Sequence, residues 1–585
     1  MRLSRFLIPT MKDDPRDADM AGHRLMIRCG MMRQAASGIH VFMPLGQRVI
    51  RKIEAIVREE MERAGGMEIH APLLGQGRFP RHRQLWQGEG EEPFHFKDMW
   101  GKDFHASPGG GGTFMEIARR DVESYRELPL LLYGMQVALV DEPRPRGGAI
   151  RAREYLKSEA FSFHGDEKCM KAGFERLMGA CAAIFHRCGA LAVAGEGSPG
   201  PAGTGRCQRF YVKAEGGDEM LFCCPSCGYA AGGDGAGYRD VPGQAPVPGS
   251  GEKELVHTPG ASSIESLCAM LGIEASRVIK SLVVKADGRT VMALVRGDRS
   301  LDGLKLRRHL GADVIEMASP DEIMAFTGGD AGFSGPVGLT GKTVVADTEV
   351  QYVSGGVAGA NRADYHYISV EPGRDFTPQA YVPLREAAAG DGCPRCGTVM
   401  ETSGAFGLGR VFQAGLLYSD ALDAHFVDGE KGRKSFLTVS AALGITRLAG
   451  VLAEAGHDGD GLIWPPSIAP FQAVVMPIAA DDEAQSAIAG EIYRGLMERN
   501  VDAALEDRDR RPGFKFKDAD LVGYPVRIVV GRRAAGEGIV EVKLRREKEV
   551  RQVETDRAVE ETLRLLAGEM SHLDAPAGKL EECPC

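Results

Sequence analysis

The sequence predicts a multidomain α/β protein, on three observations. The chain has 585 residues, more than one core organises, and length alone suggests about three or four domains. Composition changes near residue 230, where a Gly/Pro-rich stretch, "AAGGDGAGYRDVPGQAPVPGSGEKE", reads as a linker, and the earlier style returns after 397. Beyond 470, strand-like and helix-like segments alternate, as in a small α/β domain with a mixed or parallel sheet.

The elements follow in order. Residues 46–66 read as a helix, with Val49, Ile50, Ile53, Ile56, Val57 and Met61 on one face and Gly65-Gly66 as the stop. "MEIHAPLL" reads as a short buried strand. Residues 105–121 have an amphipathic spacing interrupted by four glycines, Gly109 to Gly112, which offer a helix no side-chain chemistry and cost it about 1 kcal/mol each relative to alanine. "LPLLLYGMQVALVDE", 128–142, is an apolar strand ending in acid. The basic loop "PRPRGGAIRAREYLK" and a return strand, "AFSFH", follow, an arrangement suited to phosphate handling. From 253 to 385, β-branched runs such as "VIKSLVVKA" and "TVMALVRGD", with glycine-rich turns, mark an α/β module with its own core. "PFQAVVMPI", "YPVRIVVG" and "GIVEVKL" are strands of the last domain, with helices at 481–499 and about 557–569 and a flexible tail.

A net charge of −10 argues against a coat of nucleic acid but permits local basic patches. No run of about 18 apolar residues suggests a membrane span, and the N-terminus is too short in apolar residues for a secretory signal, so the expected compartment is the cytoplasm. Thirteen cysteines, odd in number and scattered, suit thiols or metal ligands better than a disulfide framework. Two C-P-x-C-G knuckles bracket the middle module: Cys224 with Cys227, and Cys393 with Cys396. An inserted domain leaves its host at adjacent points, so the pairs can meet as a tetrahedral structural zinc site; otherwise they are two solvated turns. Cys223 reads as a bystander, and Cys583 and Cys585 lie in the tail.

These landmarks together resemble the bacterial-type prolyl-tRNA synthetases over almost the whole chain. "RCGMMRQAASGIHVFMPLGQRVIRKIEAIVREEMERAGG" is similar to the family's first segment, and "DEPRPRGGAIRAREYLKSEAFSFH" resembles its class II motif 2 region. "GLIWPPSIAPFQ" and "DRDRRPGFKFKDADLVGYPVRIVVG" resemble the join to, and body of, its anticodon-binding domain. The resemblance implies a class II antiparallel-sheet catalytic domain in two parts, 1–230 and 393–468. It also implies an inserted α/β editing domain with linkers, 231–392, an α/β anticodon-binding domain, 469–572, and a tail, 573–585. It further implies tRNA(Pro) as partner, a homodimer formed through the motif 1 region around Pro72, and no membrane.

Against the family's pattern, Gly109–Gly112 stand where a Thr-His-Glu-Glu stretch supplies proline-binding side chains. Val140-Asp141-Glu142 replaces Arg-Asp-Glu, Gln208-Arg209-Phe210 replaces His-Glu-Phe, and Leu408-Gly409-Arg410 replaces Val-Gly-His. A glycine-rich run before motif 3 reads Val439 to Gly444. Glu142 and Arg447 remain as remnants of the ATP site. The editing features are kept: Lys280, the Gly332-to-Pro336 loop, Asp347 and His366 match that pocket, which hydrolyses alanine wrongly attached to tRNA(Pro). No cysteine lies between 269 and 392, so water is the expected attacker. For RNA, Arg508, Arg510, Arg511, Lys515 and Lys517 interleave with Phe514 and Phe516, which suits single-stranded anticodon bases. Arg144 and Arg146 resemble the loop that approaches the acceptor stem.

The leading expectation is a protein that binds tRNA(Pro) and edits Ala-tRNA(Pro) with proline activation impaired. The alternatives are a working proline–tRNA ligase with a divergent pocket, which would use ATP and Mg²⁺, and a non-catalytic tRNA-binding or regulatory pseudo-synthetase.

Overall fold

The apolar face read from residues 46–66 forms a helix, Pro44–Arg63, with all six predicted positions buried and Pro44 pre-set at its first turn. Gly65 ends it at φ +81°, a conformation that suits glycine. The computed structural model describes residues 1–76, 94–106, 110–198, 205–233, 235–239, 251–312 and 314–571. Gly109, Cys583, Cys585 and the expected tail lie outside the described residues. Two units are present: residues 1–195, 203–219 and 403–585 form the first, and 196–202 with 220–402 the second.

In the first unit, the strand Leu130–Leu139 pairs antiparallel with Glu154–His164 along its whole length, Leu130 opposite Phe163 and Leu139 opposite Glu154. Glu154–His164 continues to Leu437–Gly444, then Glu401–Gly415, then Cys207–Lys213, each antiparallel. Of "MEIHAPLL", Met67–Glu68 is exposed and parallel to Leu132–Tyr133, and Leu74 opens a separate strand, Leu74–Gln76, where one buried strand was expected. The predicted 105–121 helix starts late. Asp103–Ala106 is a strand, Gly110 is the N-cap, and the helix runs Gly111–Asp121. Helices Pro44–Arg63, Glu167–Arg187 and Ile445–Ala455 pack their apolar residues into one core with this sheet.

The C-terminal part of the first unit is a mixed five-stranded sheet, in the order Ala503–Leu505, Ala473–Pro477, Val526–Val530, Ile539–Leu544 and Arg551–Glu554. The first three strands are parallel and the rest antiparallel. Arg48 and Lys52 of the first long helix both pair with Asp502, which ties this sheet to the main core.

The second unit has a five-stranded sheet built around Ile279–Ala286 and Arg289–Arg296, which β-branched residues on both faces bury. A three-stranded sheet of Glu254–His257, Tyr365–Val370 and Gly356–Gly359 accompanies it. No helix among the described residues is long and apolar enough to cross a membrane.

Candidate functional site

A cleft of about 420 Å³ opens on the sheet of the first unit, lined by Val140, Glu142, Ile150, Arg151, Lys157, Arg209, Arg410 and Arg447 among others. Its charges are largely matched within the chain. Arg151 donates to Glu142 at 2.6 Å, Arg209 to Glu219 at 2.8 Å, and Lys157 to Glu159 at 2.8 Å. Arg447 donates to the carbonyls of Gly407 and Ile150, at 2.6 and 3.1 Å, and pairs with Asp218 at 3.3 Å. Burial pushes the Glu142 carboxyl up, but the hydrogen bonds from Arg151 and the Arg144 N–H outweigh it and hold it below its ordinary value. Arg144 and Arg146 are exposed on the loop beyond.

The glycine run meets Glu159 and Phe161, which share a face of their strand with Tyr155 and Lys157 of the cleft. Glu159 accepts from the Gly110 N–H at 2.5 Å and from Gln136 at 3.1 Å, besides Lys157. A Cβ on Gly110 would lie 2.8 Å from the Phe114 ring, and one on Gly111 2.9 Å from both Phe161 and Tyr418. Gly112 faces open space. Aromatic rings fill the space beside Gly110 and Gly111. Lys157, Glu159 and Gln136 escaped the sequence reading; the signal was a Lys-Ser-Glu run inside an otherwise apolar return strand.

In the second unit, Lys280 is half-buried on the Ile279–Ala286 strand, its ammonium 3.4 Å from the Arg299 carbonyl. The Gly332-to-Pro336 loop packs backbone on backbone. Gly332 has φ +92°, with Ser262 2.8 Å from the position of a Cβ, and a Cβ on Gly335 would fall 1.9 Å from the Gly359 carbonyl. Asn361 pins the loop by accepting from the Gly335 N–H at 2.8 Å and donating to the Val337 carbonyl at 3.1 Å. His366 is buried beneath it, 2.7 Å from Thr258 Oγ1 and with its ring 5.5 Å from Phe333. Burial lowers its pKa, against a hydrogen bond to the Gly332 backbone.

Asp347 requires a correction. It is 0% exposed, and its oxygens accept from Tyr238 O–H at 2.7 Å, Leu384 N–H at 2.7 Å, Arg385 N–H at 2.9 Å and Glu349 N–H at 2.9 Å. Those four donors saturate a carboxylate. Asp347 therefore clasps Tyr238 to Leu384–Arg385, near the two ends of the module, and presents nothing to a substrate.

The four cysteines do meet. Their sulfurs lie within 4.8 Å of one another, with Cys224 to Cys396 at 3.4 Å and Cys227 to Cys393 at 3.6 Å. Tetrahedral Zn²⁺ with bonds of about 2.3 Å needs S···S spacings of about 3.8 Å, so the cage fits such an ion. Each knuckle turns on its glycine. Gly228 (φ +70°) donates to the Cys224 carbonyl at 3.3 Å, and Gly397 (φ +81°) to the Cys393 carbonyl at 2.8 Å.

The basic run near 510 is not one loop. Pro512–Val522 is a helix with Pro512 in its first turn. Lys515 is 1% exposed and donates to the Pro477 carbonyl at 2.9 Å; Arg508 pairs with Glu506 and Asp518. These two are committed to the fold, which corrects their expected place on an RNA face. Arg510, Arg511, Phe514 and Lys517 are exposed, and the Arg510 guanidinium lies 5.6 Å from the Phe514 ring centre.

Residues 258–376 match the family model for the aminoacyl-tRNA editing domain, and 472–565 that for the anticodon-binding domain. The proline–tRNA ligase of Moorella thermoacetica is 38% identical over 570 residues, 97% of this chain and 99% of that one. That of Geobacter sp. (strain M21) is 40% identical over 555 residues, 94% and 96% of the two chains. The chain belongs to the prolyl-tRNA synthetase family. Its multidomain class II synthetase fold is similar to that of the Cryptosporidium parvum prolyl-tRNA synthetase complexed with L-proline and AMP. That match has a TM-score of 0.57 at 13% identity and covers 96% of this chain and 78% of the other. Within this prolyl-tRNA synthetase fold, the cleft sits in the class II part, Lys280 and His366 in the editing part, and the exposed basic turn in the anticodon-binding part.

Proposed function

We propose that this protein acts on tRNA(Pro) as a proline–tRNA ligase with an altered cleft. The observation that carries the reading is similarity at 38–40% identity, over almost the full length, to proteins named proline–tRNA ligases. ATP would carry its AMP part to the proline carboxylate and lose pyrophosphate, whose charge Mg²⁺ would neutralise. This chain would contribute Arg447, oriented by the Gly407 and Ile150 carbonyls, and Glu142, oriented by Arg151, to hold the nucleotide.

A second reading, hydrolytic editing with proline activation weakened, is favoured by a specific observation. Gly110 to Gly112 bring no side chain to the helix start, Val140 brings no charge to the cleft, and Lys157, Arg209 and Arg447 are each held by a carboxylate of the same chain. In this reading Lys280 engages the mischarged 3′ end. Water adds to the ester carbonyl, the C–O bond to the ribose breaks, the ribose oxygen takes a proton, and alanine leaves.

Two assays separate the readings. Proline-dependent exchange between pyrophosphate and ATP at ordinary synthetase rates supports the ligase, and background exchange refutes it. Deacylation of Ala-tRNA(Pro) by the wild type that is lost in Lys280→Ala supports editing, and equal rates in both refute it. A structural Zn²⁺ on Cys224, Cys227, Cys393 and Cys396 belongs to the same proposal, supported by the cage dimensions; elemental analysis is expected to find one zinc per chain, and none would remove it. So do a homodimer, checked by molar mass in solution, and a cytoplasmic location.

A further inference from the structure

Between the cysteine cage and Lys280 runs a series of ion pairs that backbone hydrogen bonds join at either end, all within the second unit. The Cys393–Cys396 hairpin closes at its base on Asp391, whose carbonyl accepts from the Met400 N–H at 2.9 Å. The Asp391 carboxylate takes Arg385 in both arms, at 2.6 and 2.8 Å, and the Ala388 N–H at 2.7 Å. Arg385 is 0% exposed, stacked 3.6 Å from the centre of the Tyr238 ring, and its Nη2, shared with Asp391, also reaches Glu349 at 3.0 Å. Glu349 in turn takes Arg299 at 3.0 and 3.2 Å, and the Arg299 carbonyl accepts from Lys280. Arg239 and Gly392 exchange two backbone hydrogen bonds, at 2.8 and 3.0 Å, so the incoming and outgoing chains are tied beside the cage.

We propose that Arg385 is a positioning residue that couples a metal ion in the four-cysteine cage to Lys280, so that removal of mischarged amino acid depends on a metal that never touches the substrate. A fully buried guanidinium is tolerated only while its carboxylates hold it. Asp391 stands two residues from a metal ligand, and its position is set by the hairpin that the metal would close. With the metal gone, four sulfurs within 4.8 Å of one another have no bond to hold them, and the hairpin can open. Arg385 would then lose Asp391, share Glu349 differently, and release Arg299 and the carbonyl that orients Lys280. The proposal rests on the editing and zinc readings above.

The test uses the full-length protein. Metal is removed by a chelator in one arm and by Cys396→Ser, at an exposed sulfur, in another, with zinc content measured by elemental analysis. Ala-tRNA(Pro) deacylation is expected to fall by about 5–150-fold, the usual range of coupling between sites. Amide exchange is expected to rise in segments 279–301 and 344–391, and binding of uncharged tRNA(Pro) to stay unchanged. Restoring zinc to the stripped wild type should restore deacylation. Arg385→Lys is expected to keep its zinc yet lose kcat rather than KM; should it fail to fold, Glu349→Gln replaces it, because that change leaves the hairpin intact. Zinc loss with unaltered exchange in both segments and unaltered deacylation overturns the coupling. A zinc-replete wild type that does not deacylate overturns the editing reading instead, and the exchange measurement still decides the coupling. A wild type that binds no zinc overturns both the zinc reading and the coupling.

Discussion

The exposed and buried cations near residue 510 give a sharp contrast when they are removed. Arg510, Arg511 and Lys517 face solvent, whereas the Lys515 ammonium is buried against the Pro477 and Glu506 carbonyls, at 2.9 and 3.5 Å. Each phosphate neutralised on a single strand contributes a slope of about −0.7 to log K against log salt. If all three exposed cations contact phosphate, replacing them with alanine flattens the slope for tRNA(Pro) by about 2. Between roughly 50 and 200 mM salt the variant would then lose about 20-fold less affinity than the wild type. Lys515→Met should leave that slope unchanged. It strands two buried carbonyls, so its cost, of about 1–3 kcal/mol per unsatisfied group, falls on stability. Filter binding across a salt series reads the first effect and urea unfolding the second. The assignment is refuted if Lys515→Met flattens the slope, or if the triple variant keeps the wild-type slope.

Adjacent glycines should respond with opposite signs. Gly112→Ala, in open space, should slow amide exchange in Gly111–Asp121 by up to about 5-fold, because alanine is the better helix former by up to ~1 kcal/mol. Gly111→Ala, forced against Phe161 and Tyr418, should speed it, since overpacking costs about 1–3 kcal/mol; matching signs would contradict the packing described. His164 is buried, and burial, aided by the Arg176 charge, pulls its pKa from 6.5 to about 4. Its neutral ring therefore contributes stability in full above pH 6.5 that is lost as pH falls towards 4, and His164→Gln should flatten the acid limb of stability measured by urea unfolding at stepped pH.

Local patterns carried much of this protein's architecture. The 3.6-residue spacing of Val49 to Met61 fixes a buried helix face whatever surrounds it, and period and turn residues place the strands of the editing and anticodon-binding parts. The paired C-P-x-C-G knuckles left a cage or two solvated turns open, and the folded chain brings their four sulfurs together. What residue type cannot convey is direction. Asp347 and Lys515 carry the right charge for a pocket and an RNA face, yet each points inward, because a strand end or the buried side of a helix turn decides which way Cβ faces. Arg385 shows the same limit from the other side. Nothing in its neighbourhood along the chain marks it, and only the folding of 238, 349 and 391 around it turns an ordinary arginine into a buried junction. Sequence sets propensity and period over a few residues, whereas buried-charge partners such as Glu349 and Tyr238 come from far along the chain, and tertiary packing is what brings them to Arg385.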